Sequence, residues 1–75
     1  MRKYRLSEVE HWTDRLHGDY VAVFETPPDE YGRTAFVVVA MLESDAEGDF
    51  EELARYDTLQ AAAHAALALD ATAHR

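Results

Sequence analysis

The chain has 75 residues, no cysteine, and fifteen acidic against seven basic side chains, for a formal net charge of −8. So short a chain buries only about 60% of the surface it exposes unfolded, so residues 1–75 are read as one small acidic domain with one core. A disulfide framework, a thiolate metal site and a thiol nucleophile are excluded, and the charge argues against direct nucleic-acid binding, whose affinity comes mainly from neutralised phosphates.

Apolar residues make up 48% of the chain, including one Trp, four Tyr and three Phe, too many for a chain that stays disordered. The longest apolar run, Ala35 to Leu42, is eight residues, against the roughly 20 needed to cross a bilayer. Met1-Arg2-Lys3-Tyr4-Arg5 leads into no signal-type apolar stretch, which points to a cytoplasmic location.

In chain order, Ser7-Glu8-Val9-Glu10 reads as a capping box, with the Ser7 hydroxyl on the Glu10 N–H and the Glu10 carboxylate reaching back. Val9, Trp12 and Leu16 follow at spacings of three and four, and Gly18 offers a left-handed stop, so a helix is expected from about Glu8 to His17. From Asp19 the period changes. Tyr20 to Phe24 is rich in β-formers and ends at the turn cluster Thr26-Pro27-Pro28-Asp29-Glu30-Tyr31-Gly32-Arg33. A second strand begins near Thr34, and its run Ala35 to Leu42, apolar on both faces, suggests the centre of the sheet.

Glu43 to Asp49 is acidic with Gly48 and reads as a loop. Residues 50–56 fit either a helix opened by Asp49 or a short third strand, in which Glu52, Ala54 and Tyr56 alternate with Leu53 and Arg55; the strand fits better. Asp57 or Thr58 then caps an alanine-rich helix, Leu59 to Leu69, fraying near Asp70. The fold expected is therefore α+β: helix, β-hairpin, short third strand, C-terminal helix. Its three-stranded antiparallel sheet packs on Trp12, Leu16, Leu59 and Leu67.

The charge is unevenly placed. Residues 1–24 and 58–75 each cancel, whereas Glu25 to Asp57 holds ten acids and two bases, Arg33 and Arg55. If extended, Glu43, Asp45, Glu47, Asp49 and Glu51 fall on one side about 6.6 Å apart, from a rise of about 3.3 Å per residue. That matches the run of phosphates along a strand, so a Lys/Arg-lined groove would attract this segment by its long-range field. A specific complex needs an aromatic anchor as well. Tyr31, flanked by Glu30 in the turn, is the candidate, while Phe50 and Tyr56 are assigned to the core. The expected partner-binding residues are Asp29, Glu30, Tyr31, Glu43, Asp45, Glu47, Asp49, Glu51 and Glu52.

Chemistry finds little support. Glu43, Asp45, Glu47 and Gly48 fit an EF-hand loop only in part, since Ala54 occupies the position of the bidentate Glu. Histidines 11, 17, 64 and 74 lack paired ligand spacing; His11 and His17 suit the surface and C-terminus of the first helix. Ser7 is used as a cap, and the glycines at 18, 32 and 48 form no phosphate loop. No catalysis, metal or cofactor is expected.

Around the final helix, Leu59, Ala62, Ala63, Ala66, Leu67 and Leu69 group on one side. Ala61, His64, Ala65 and Ala68 lie opposite without charge, where a surface helix normally carries it. Ala61, Ala65 and Ala68 are therefore a candidate dimer interface. The run Tyr56-Asp57-Thr58-Leu59-Gln60-Ala61-Ala62 resembles the strand-to-helix junction of HicB-type antitoxins and of phage integrase arm-binding domains. The latter hold DNA on a basic sheet, opposite in sign to the acidic segment here. In profile (tiny, acidic, without a catalytic set) the chain is similar to anti-CRISPR proteins, a likeness that carries over no residue. The leading expectation is a non-catalytic protein that inhibits or regulates a basic, nucleic-acid-binding partner as a nucleic-acid mimic. The alternative is an antitoxin-like or regulatory homodimer.

Overall fold

The computed structural model describes residues 3–41 and 50–73. Five strands, β1 (Lys3–Tyr4), β2 (Thr13–His17), β3 (Val21–Glu25), β4 (Phe36–Met41) and β5 (Phe50–Tyr56), form one antiparallel sheet in the order β1-β5-β4-β3-β2. A four-residue helix α1 (Leu6–Val9) and a fifteen-residue helix α2 (Leu59–Ala73) complete the fold. The expected three-stranded sheet is thus corrected to five strands, within the same broad α+β class.

Two strands are added: β1, paired with β5, and β2, because Thr13–His17 is strand rather than helix. Thr, Asp and His are indifferent helix formers, and here their backbone groups pair with β3 from Thr13↔Glu25 to His17↔Ala22. Arg15 is an extra residue in that ladder, since the register shifts between Asp14 and Leu16. The cap also lies earlier than expected: Glu8 Oε2 accepts the Arg5 N–H at 2.8 Å, making Arg5 the N-cap and leaving Ser7 inside the short helix. His17 consequently ends a strand, not a helix.

β4 lies at the centre, as its two-sided apolar run implies. Val37 and Val39 face one side and Val38 the other, all fully buried with Val23; each such side chain contributes about 1.5–3 kcal/mol relative to an exposed one. On the first face Val37 and Val39 join Tyr4, Val9, Ala22 and Phe24, with Trp12 and Phe50 packed alongside. Tyr4 meets Trp12 edge-on at 4.9 Å, and Phe24 meets Phe50 at 5.7 Å. The chain between β1 on one edge and β2 on the other crosses this face, so α1 and Trp12 cover it.

α2 covers the second face. Ala62 and Ala66 press on Val21, Val23 and Val38, joined by Leu16, Phe36, Ala54, Tyr56 and Leu59. Trp12 therefore packs on the face opposite α2, and Leu67, expected in the core, is 63% exposed. Thr58 Oγ1 accepts the Ala61 N–H at 3.2 Å as the cap of α2. The helix continues through Asp70 instead of fraying, because Asp70 Oδ1 accepts the Tyr20 N–H at 2.8 Å from the β2–β3 turn. Among the described residues no helix is long and apolar enough to cross a membrane.

That turn explains Gly18, which is not in the left-handed region; among described residues only Gly32 is, at φ 76°. A Cβ at Gly18 would lie 2.9 Å from the Val21 carbonyl oxygen and 3.2 Å from Asp70 Cγ and Oδ1. The need is for close approach between the turn and α2. Gly18→Ala is expected to cost about 1–3 kcal/mol through this overpacking, lowering the thermal midpoint by about 4–8 °C per kcal/mol in a domain this small.

Candidate functional site

The turn cluster after β3 is an ordered loop. Its neck is closed by the Thr26 N–H on the Ala35 carbonyl and by the Ala35 N–H on Thr26 Oγ1, both 2.9 Å. Asp29 organises the tip: its Oδ1 accepts the Tyr31 N–H at 2.8 Å and the Arg33 N–H at 2.9 Å, while its carbonyl accepts from Gly32 at 3.0 Å. An aspartate bonding to the backbone two residues on is the usual turn chemistry of this residue. Gly32 supplies the positive φ that the turn needs.

This loop presents Tyr31, 76% exposed, with the Arg33 guanidinium 5.8 Å from its ring centre. Glu30 is exposed beside it. Asp29 is thus a positioning residue as well as an acid, a role legible in the Asp-Glu-Tyr-Gly run of turn formers.

The acids of β5 are placed differently. A register shift between Val38 and Val39 leaves Leu53 as an extra residue, so Phe50, Glu52 and Arg55 face the α1 side while Glu51, Ala54 and Tyr56 face α2. Glu51 and Glu52 therefore lie on opposite faces of the sheet, and the simple alternation of 52, 54 and 56 is corrected by the bulge. Glu52 Oε1 accepts from the Tyr4 hydroxyl at 2.7 Å and from Arg55 Nη2 at 3.0 Å, and Arg55 also donates to the Tyr4 oxygen at 3.1 Å. The hydrogen bond from Arg55 to Glu52 holds the guanidinium pKa above its ordinary value, with partial burial acting the other way. This cluster fastens the two-residue β1 to the sheet. Glu25 is similarly engaged, accepting from Arg15 Nη1 at 2.7 Å across the β2–β3 pair.

Among the expected partner-binding residues, Glu43, Asp45, Glu47 and Asp49 lie outside the described residues. The sheet does not bring the others together. Asp29, Glu30 and Tyr31 follow the Glu25/Phe36 end of the β3–β4 pair, whereas Glu51 and Glu52 adjoin the Met41/Phe50 end. β4 separates the two ends by its six residues, about 17 Å at the usual rise.

On α2, Ala61 and Ala68 are exposed and Ala65 is half-buried. Tyr56, Thr58, Gln60, Ala61, His64 and Ala65 line an open groove of about 570 Å³. Gln60, His64, Leu67 and Ala71 form an exposed stripe at spacings of four, three and four. Leu67 thus lies with His64 on the exposed side, not with Ala62 and Ala66 on the side grouped from the spacing. Among the described residues no group of three His, Asp or Glu is placed to hold a metal ion. Comparison with protein-family models, curated proteins and solved structures returned no match.

The contrast between Asp29, Glu30 and Glu52 can be measured. Asp29→Ala is expected to speed amide exchange of Tyr31 and Arg33 by about tenfold while costing the exposed domain surface no more than about 1 kcal/mol. Glu52→Ala, which strips an acceptor from the buried Tyr4 hydroxyl and from the exposed Arg55 guanidinium, is expected to cost about 1–2 kcal/mol in urea unfolding, against less than about 0.5 kcal/mol for Glu30→Ala.

Proposed function

We propose that the protein is a non-catalytic interaction protein that inhibits or regulates a basic partner whose groove holds nucleic acid, with an anti-CRISPR-like inhibitor as its concrete form. One observation carries this reading: Glu25 to Asp57 holds ten acids against two bases, a net of −8, and among its described acids Glu25 and Glu52 meet arginines while Asp29, Glu30, Glu51 and Asp57 are in no ion pair. So large an excess of negative charge attracts a Lys/Arg-lined surface over a distance set by ionic strength.

Tyr31 supports specificity beyond charge. Tyrosine gives a large amphipathic contact with little conformational entropy to lose, and the loop that holds it is hydrogen-bonded before any partner arrives. Contact at the Tyr31 tip and contact near Glu51 involve opposite ends of the sheet, so a partner engaging both must run along it.

The test uses the full chain immobilised at about 50 mM salt, where electrostatic capture is strong. Basic nucleic-acid-binding proteins of the host are expected on it, and added chain is expected to displace a labelled oligonucleotide from them. Changing Glu43, Asp45, Glu47 and Asp49 together to Lys is expected to abolish displacement with the thermal midpoint nearly unchanged. Displacement that survives this reversal rejects the mechanism.

A further inference from the structure

We propose that the outer edge of β5, Leu53–Tyr56, together with the groove between it and α2, receives an extended segment of the basic partner as an added strand. This rests on the partner-binding reading above and says how that partner is held.

β1 covers only the start of β5, pairing Tyr4 with Phe50 and Lys3 with Glu51. Among the described residues no strand lies outside Leu53–Tyr56. On the inner side Ala54, Arg55 and Tyr56 pair regularly with Val38, Val37 and Phe36. The backbone past the Leu53 bulge therefore keeps strand geometry, and alternate N–H and C=O groups point outward, as on any sheet edge. The opposite edge is blunted. β2 has its bulge in mid-strand, at Arg15, and carries Asp14, Arg15 and His17, the features that keep an edge from pairing further.

Beside this edge Tyr56 and the first two turns of α2, through Ala61, His64 and Ala65, form the groove. When a peptide adds to a sheet edge, main-chain hydrogen bonds supply affinity and pockets under alternate side chains supply specificity; the β5 edge and this groove offer both. Charge selects the occupant. Asp57 follows the edge directly and is exposed. Because Phe36 pairs with Tyr56, the loop that carries Asp29 and Glu30 lies at the same end of the sheet. The base of that loop, Arg33, sits over the Tyr31 ring at 5.8 Å, and from Asp57 to Ala73 the chain has no Lys or Arg. The segment that fits is extended, with Lys or Arg where it passes Asp57 and small apolar side chains toward Ala61 and Ala65. An acidic segment meets repulsion there, as does a second copy of this chain with its net charge of −8.

The probe is a heptapeptide with two lysines at each end of a Val-Thr-Val centre, so that a cation reaches Asp57 in either chain direction. It is added at about 1 mM to the full chain in about 50 mM salt, where charge attraction is strong. Amide exchange read by NMR is expected to slow several-fold at alternate residues of Leu53–Tyr56. The same peptide with glutamates for lysines is expected to give no slowing. Of two lysine peptides methylated on alternate backbone nitrogens, one is expected to fail and the other to bind, since only one set of N–H groups faces β5. Asp57→Lys is expected to weaken binding by about tenfold and Asp57→Asn by less, both leaving the native amide spectrum otherwise unchanged. Unchanged exchange at Leu53–Tyr56, equal binding by the acidic peptide or by both methylated peptides, or an Asp57→Lys chain that binds as well as the parent each overturns the proposal. So does slowing that appears without peptide as chain concentration rises, which marks a second copy on the edge. Oligonucleotide displacement separates this site from the reading it rests on. Displacement undiminished by Asp57→Lys overturns the edge site and leaves the charge reading standing, whereas protection of β5 by the peptide with no displacement supports the edge site and rejects the nucleic-acid-groove partner.

Discussion

The contact of Ala62 and Ala66 with Val21, Val23 and Val38 governs the rest of the molecule. At 0% and 2% exposure, the two alanines let α2 lie close on a sheet whose largest fully buried side chains are valines. A small domain has little apolar surface to bury, and close packing of small residues is how this one covers the second face of its sheet. The same contact sets the helix rotation, which places Asp70 at the β2–β3 turn and Leu67 in solvent. It also demands a glycine at position 18, where turn and helix meet.

The two faces of the sheet are covered by different means. α2 supplies one with a regular helix, while the other is closed by a single crossing of the chain from β1 to β2, with Val9 and Trp12 over the valines of β4. That crossing depends on holding a two-residue strand at the edge, and Tyr4, Glu52 and Arg55 do this. One acid of the negative segment is thereby committed to architecture, Glu25 is paired with Arg15, and Asp29 shapes the loop that carries Tyr31. What remains for recognition is the surplus: Glu30, Glu51 and Asp57 among the described residues, together with the aromatic tip. An ordered tip and an excess of charge serve different parts of binding, the first the fit of the complex and the second its encounter rate.

Local chemistry and composition determined a good deal alone. The acid excess and its confinement to residues 25–57, the absence of thiol chemistry, the central apolar strand, a helix opening at Asp57 or Thr58, and the exposure of Tyr31 in a turn of Pro, Asp and Gly are all written in neighbouring residues. Tertiary structure decided what neighbours cannot. Val9, Trp12 and Leu16 satisfy a helical spacing, yet pairing with β3 makes Thr13–His17 a strand and sends Trp12 and Leu16 to opposite faces. The bulge at Leu53 separates Glu51 from Glu52, and the docking of Ala62 and Ala66 chooses which side of an alanine-rich helix is inside. The reason is common to all three: each local segment had two conformations or orientations of nearly equal free energy, and only hydrogen bonds and packing to residues distant in the chain separated them.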